Sequence, residues 1–146
     1  MSRRAFFLIL LTAFSLSLLG ALVFKEKAPE PKFGTLTLCA RFCDNELVEA
    51  LSTGEAEGTV DGAPCRILSV RTEASTVTRE EGGVPLSFPS RLLSDVFFVL
   101  EVELTVKDGL PYAADAFLSP AKRVLLSSPF FYGECEILSI KVGKSG

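Results

Sequence analysis

Apolar and polar positions along the chain fall into three regimes. From Ala5 to Phe24 the residues are AFFLILLTAFSLSLLGALVF, uncharged throughout, with Thr12, Ser15 and Ser17 as the polar side chains. Twenty such residues make roughly 30 Å of helix, the thickness of a bilayer's hydrocarbon core. Next comes Lys25-Glu-Lys-Ala-Pro-Glu-Pro-Lys32, charged and twice interrupted by proline, which predicts a stiff, extended spacer. From Gly34 onward the period becomes two. Leu36, Leu38, Ala40 and Phe42 share one face, and Thr35, Thr37, Cys39, Arg41 and Cys43 the other, which predicts a half-buried strand.

Asp44 offers an N-cap, and Leu47, Val48 and Leu51 fall at helical spacing before Gly54, predicting one short helix over about 45–52. Pro64 to Thr78 reads as a strand with a narrow apolar face, and Gly82-Gly83 as a turn. Val96, Phe98, Leu100, Val102, Leu104 and Val106 align on one face of the clearest strand, 96–107, which ends at an Asp108-Gly109 turn. Val124 to Leu126 and Glu134 to Val142 supply the last strands. The expected fold is all-β, a small barrel or sandwich of about seven strands with one short helix, preceded by a single N-terminal transmembrane helix. Two segments echo one another: Cys65-Arg-Ile-Leu-Ser-Val70 and Cys135-Glu-Ile-Leu-Ser-Ile140. A duplicated β unit, with halves paired about a pseudo-two-fold axis, is one explanation. Chance among strand-favoured residues is the other.

Charge flanks the apolar run unevenly. Arg3 and Arg4 on a very short tail favour a cytoplasmic N-terminus, while Lys25 and Lys27 weaken the bias. The expected organisation is a cytoplasmic tail over 1–4, a transmembrane signal anchor over 5–24, a linker over 25–33, an extracytoplasmic β domain over 34–142 and a tail over 143–146. A cleaved signal peptide is the alternative, but the run is long for one and Leu22 to Lys25 fit a peptidase site poorly.

Composition narrows the chemistry. Setting Arg3 and Arg4 aside from the 15 Lys and Arg leaves 13 basic residues against 18 acidic ones beyond the run. No basic stripe with interleaved aromatics occurs, so nucleic-acid binding has no electrostatic support. The absence of His removes the commonest general base and metal ligand. No Gly-x-Ser-x-Gly occurs, and Gly82-Gly83 lacks the Lys-Ser/Thr of a phosphate loop. Neither catalytic, metal nor cofactor residues are expected.

Cys39, Cys43, Cys65 and Cys135 are candidate disulfide cysteines in an exported domain. Cys39 and Cys43 lie roughly 13 Å apart along a strand, too far to bridge each other. Small buried thiols are the equal alternative, and Cys-x3-Cys with two lone cysteines is a poor zinc signal. Six acids between Asp44 and Asp61 lack the loop pattern of a Ca²⁺ site and read as a solvated face. Glu101 and Glu103 read as wet outer residues of a strand. Val84, Leu86, Phe88, Leu92 and Leu93 lie in a proline-broken loop. The first expectation is a hairpin arm folded back onto the core; the alternative is an apolar patch for a partner or the bilayer surface. Pro129-Phe-Phe-Tyr132 carries the same two options.

The spacing of several motifs resembles a bacterial family of domains of unknown function, number 4330 in its series. Those motifs are Glu46-Leu-Val-Glu-Ala50 leading to Gly54-Glu55, Cys65-Arg-Ile-Leu-Ser69, Ser94-Asp-Val-Phe-Phe98 and Tyr132-Gly-Glu-Cys-Glu-Ile137. Gly54-Glu55 departs from the family's Gly-Asp. The resemblance covers about residues 34–141 and implies a membrane-anchored β domain with no assigned chemistry. The expected role is a non-enzymatic, single-pass envelope module binding a protein or glycan. An accessory subunit of envelope polysaccharide assembly or export is the alternative.

Overall fold

A computed structural model describes residues 31–51 and 55–143. The apolar run 5–24 and Gly54 lie outside the described residues, as do the anchor and helix-end expectations that fall on them. Among the described residues no helix is long and apolar enough to cross a membrane.

In chain order the elements are β1 (Lys32–Asp44), α1 (Asn45–Ala50), β2 (Ala56–Val60), β3 (Ala63–Glu81), β4 (Val84–Lys107), β5 (Leu110–Ala113), β6 (Ala116–Phe117), β7 (Arg123–Ser127) and β8 (Tyr132–Val142). The all-β class is as expected, with one strand more than the seven read from the sequence. β1 begins at Lys32, inside the stretch expected to be linker. All pairings are antiparallel, in the order β1-β8-β7-β2-β3-β4-β5-β6, and β1 also pairs with β4. Six strands therefore close a ring, and β5 and β6 append to it through β4. Closure removes the free edges that an open sheet would present.

The inward row is the one that period-two alternation marks. Leu36, Leu38, Val60, Phe98, Leu100, Val102, Leu104, Val124, Leu126 and Ile137 are all buried inside the ring. Each such side chain contributes on the order of 1.5–3 kcal/mol on leaving water. Phe98 stacks on Phe131 with ring centroids 4.9 Å apart. That contact draws Phe131 from the Pro129–Tyr132 cluster into the core and leaves Phe130 and Tyr132 exposed. Both predicted turns use left-handed backbone: Gly82 and Gly83 at φ 60° and 79°, Asp108 and Gly109 at 52° and 78°.

Two bulges recur at matching places. Ile67 faces Leu100 and Ser69 faces Val99, leaving Leu68 unpaired; Ile137 faces Leu38 and Ser139 faces Thr37, leaving Leu138 unpaired. Both leftover leucines belong to the echoed Cys-x-Ile-Leu-Ser segments. Exchanging β1 with β4, β2 with β7 and β3 with β8 reproduces every pairing in the ring. Register agrees as well. Leu38 opposite Phe98 becomes Leu100 opposite Leu36, and Gly58 opposite Cys65 becomes Val124 opposite Cys135.

The ring's narrowest seam joins β2 to β7 through Thr59–Ser127 and Val60–Leu126. Asp61 extends it: its N–H donates to the Leu125 carbonyl at 3.0 Å and its carboxylate accepts from the Leu125 N–H at 2.8 Å. At Gly58 the Ser127 carbonyl oxygen occupies the place a Cβ would take. Gly58→Ala is therefore expected to push the seam apart and cost at least about 2 kcal/mol, in the range of overpacked cores. Urea unfolding would measure it, against a smaller cost for Gly62→Asn, where the surroundings are open and only the φ of 84° opposes a side chain, asparagine least.

Candidate functional site

β3 and β4 continue past the ring as a two-stranded arm. Its rungs run from Thr76–Pro89 through Val77–Phe88, Thr78–Ser87, Arg79–Leu86 and Glu80–Pro85 to Glu81–Val84 at the tip. Residues directly opposite in an antiparallel pair share a face, so the arm has two distinct sides. One carries Val77, Val84, Leu86 and Phe88 with Arg79 and Glu81. The other carries Thr76, Thr78, Glu80, Pro85, Ser87 and Pro89, with Thr78 Oγ1 and Ser87 Oγ 3.2 Å apart.

The expectation that this segment folds back onto the core is corrected. Val77, Val84, Leu86 and Phe88 are 36%, 56%, 38% and 44% exposed, high values for large apolar groups on one face. The reason lies at the arm's base. Ala74 faces Ser94 and Thr76 faces Pro89, so Ser75 alone stands against the four residues Ser90 to Leu93. A bulge of this kind bends the strand and re-aims the residues beyond it.

Polar contacts hold this bend. Ser90 Oγ accepts from the Leu92 and Leu93 N–H groups at 3.2 and 3.0 Å. Asn45, first residue of α1, donates to the Arg91 carbonyl at 2.9 Å and accepts from Ser94 Oγ at 2.7 Å. Asp44 caps α1 by accepting from the Glu46 N–H at 3.0 Å, as its position in the sequence predicts.

Asp95 is the centre of the base. One carboxylate oxygen accepts from Ser75 Oγ at 2.6 Å and from the Phe42 N–H at 3.0 Å. The other lies 3.9 Å from Arg41, which also approaches Glu136 at 3.6 Å. Ser75 is fully buried. Phe42 has φ 57° and breaks the alternation of β1, with the pairing register shifting between Ala40 and Cys43. Phe42, expected inside, is therefore 54% exposed, and Cys43, expected outside, packs against the core.

The expected patch accordingly divides. Val84, Leu86 and Phe88 lie together on the arm, Leu92 projects from the bulge at 77% exposure, and Leu93 pairs with Asp44 of β1. Val77 joins the patch from β3. The sequence signal for it is its spacing from the Gly-Gly turn, which sets it opposite Phe88.

The four cysteines are thiols in this structure, none bridged to another. Cys65 faces Val102 and Cys39 faces Phe97 on β4, five positions apart along that strand, which separates this pair well beyond bridging distance. Burial pushes Cys65 up to about 11, partly offset by the Gly58 backbone amide. Burial, with Cys43 and Cys39 nearby, pushes Cys135 up to about 12. Cys39 and Cys43 are raised as well, again chiefly by burial. Neutral thiols are poor nucleophiles and poor metal ligands. Among the described residues no group of three or more Cys, Asp and Glu is arranged to hold a metal ion.

Of the two acids on the outer face of β4, Glu101 has an ion-pair partner. Glu101 approaches Arg66 at 3.3 Å, and Glu134 approaches Arg123 at 3.8 Å. Two shallow surface grooves flank the ring. One is lined by Arg41, Arg123, Glu134, Cys135 and Glu136. The other is lined by Glu57, Cys65, Arg66, Glu101 and Glu103. They occupy equivalent places under the exchange of halves, with charges that differ between them. Comparison with protein-family models, curated proteins and solved structures finds no match to this chain.

Two outcomes are expected. Asp95→Ala strands the buried Ser75 hydroxyl and frees the Phe42 N–H, costing about 1–3 kcal/mol; hydrogen exchange should quicken at Phe42 and around Ser75 before the ring core. For the thiols, the folded forms of Cys65 and Cys135 keep their protons above pH 9, where unfolded thiols ionise. Stability is therefore full below pH 9 and falls as pH rises toward 11–12. Melting temperatures between pH 8 and 10.5 should drop, and Cys135→Ala should flatten that slope.

Proposed function

We propose that this chain is a membrane-tethered, non-enzymatic envelope module that binds a protein partner through the β3–β4 arm. The observation carrying this reading is the apolar face of Val77, Val84, Leu86 and Phe88 on a projecting ribbon. An apolar face held in water costs free energy that a partner recovers. The polar bracing by Asp95, Ser75 and Asn45 supports a rigidly presented element, which lowers the ordering cost of binding. The uncharged run 5–24 acts as the anchor, with the N-terminus cytoplasmic and the β domain outside. Tethering confines the arm to a layer beside the bilayer and raises its effective concentration for membrane-bound partners.

On this reading the chain is a member of the 4330 family, by the spacing of its motifs. The ring is a barrel made of two duplicated units, supported by the matching bulges at Leu68 and Leu138 and by the shared register of the halves. Carbonate extraction of native membranes tests the tether: the chain should remain in the pellet, and full release would overturn it. Phe88→Asp tests the arm. It should abolish chemical cross-links to the partner while leaving the melting temperature unchanged, because Phe88 lies outside the ring core.

A further inference from the structure

We propose, resting on the arm-binding reading above, that the β3 edge of the arm takes an extended segment of a partner protein as a third strand. Among the described residues β3 pairs with β2 over Ala63–Ile67 and from Ser69 onward with β4 alone. Its other edge is therefore open along the arm. From Thr76 to Glu81 the register runs without a bulge, every residue is exposed, and Thr76, Val77 and Thr78 are strand-favouring types.

Backbone bonding alternates along an antiparallel pair, and the two-residue Gly82-Gly83 turn is closed by the bonded rung Glu81–Val84. Arg79–Leu86 and Val77–Phe88 are the next bonded rungs. Glu80–Pro85, Thr78–Ser87 and Thr76–Pro89 lie between and beyond them, and turn their backbone groups outward. Proline agrees with this count. Pro85 and Pro89 both fall on outward rungs, where a missing N–H breaks no bond within the arm.

Water can satisfy an exposed edge, so openness alone selects no occupant. The contrast between the two edges does. On β4 the prolines leave Ser87 as the one donor of the three outward rungs, and proline on an edge is a device by which sheets refuse an added strand. On β3 the same rungs keep all three donors, Thr76, Thr78 and Glu80, each with its carbonyl, over about 13 Å. One side of the ribbon is closed to strand addition and the other is left open. A row of amides at strand spacing is matched by an extended polypeptide, and not by a glycan or a bilayer. An added strand sets alternate side chains beside Val77, Arg79 and Glu81. The fitting segment therefore carries an apolar residue beside Val77, an acid beside Arg79 and a base beside Glu81.

Thr78→Pro makes on β3 the change that Pro85 and Pro89 make on β4: the outward N–H goes and the neighbouring bonded rungs stay. Ser87→Pro is the matched change on β4. Random displayed peptides selected on the purified full chain supply the probe, an enriched peptide made synthetically. At saturation it should slow amide exchange at Thr76, Thr78 and Glu80 and leave Ser87 unchanged. Thr78→Pro should weaken binding about tenfold or more, the worth of a lost hydrogen bond that strands a carbonyl of the peptide. Ser87→Pro should leave binding unchanged. Should faster exchange at Val77 and Arg79 show that Thr78→Pro loosens the arm itself, N-methylation of alternate peptide residues removes the peptide's own donors and should weaken binding to a similar degree. Failure to enrich any peptide, protection of Ser87 in place of the β3 amides, or binding indifferent to both Thr78→Pro and N-methylation would overturn the proposal. So would protection of the same amides in the peptide-free chain as its concentration rises, which assigns the edge to a second copy. Cross-linking in native membranes separates this inference from the reading beneath it. Cross-links lost in both Phe88→Asp and Thr78→Pro support the added strand. Cross-links lost in Phe88→Asp but kept in Thr78→Pro sink it and spare the arm, and cross-links kept in both sink the two together.

Discussion

Everything in this domain depends on closing six strands into a ring. A sheet of this size carries apolar side chains on one face and unpaired backbone groups on two edges. Bringing β1 against both β8 and β4 satisfies the edges and encloses the apolar face at once. Closure needs curvature, and the bulges at Leu68 and Leu138 provide it on opposite sides of β1 and β4. Each bulge sends one leucine toward solvent, and both are a little over a third exposed. The cost of exposing them is small beside the closed core they permit.

Closure also decides where functional elements can emerge. Within a complete ring nearly every backbone group is spoken for, so variety is displaced to the connections. The β1–β2 connection carries α1, the equivalent β4–β7 connection carries β5 and β6, and the β3–β4 connection extends into the arm. Asp95 binds this last departure to the ring, joining β1 at Phe42, β3 at Ser75 and its own strand β4. One carboxylate thus sets both a left-handed residue in β1 and the bend from which the arm projects. The thiols, by contrast, are filling: neutral, three of the four buried, and carried on β1, β3 and β8.

Local pattern makes much of this legible. The long alternation from Val96 to Val106, the Asp108-Gly109 and Gly82-Gly83 turns and the Asp44 cap depend on neighbours a few residues away, which a sequence displays directly. Phe42 departs from its alternation because its conformation is imposed by Asp95, 53 residues later in the chain. The arm's apolar residues are legible as a cluster, but Val77 does not stand out as one of them. Its membership arises from pairing across the turn rather than from its own strand.

The sequence by itself determined the alternation of β1 as far as Ala40 and of β4 from Val96, the Gly82-Gly83 and Asp108-Gly109 turns, the short helix and the acidic, histidine-free composition. These come from side-chain alternation and from which backbone angles each residue tolerates. Only the tertiary structure decided which apolar residues are covered. Leu104 and Leu86 lie in the same strand, yet one is fully buried in the ring and the other is 38% exposed on the arm. Burial depends on what stands opposite in space. Ring closure supplies that neighbour for one and leaves the other without it.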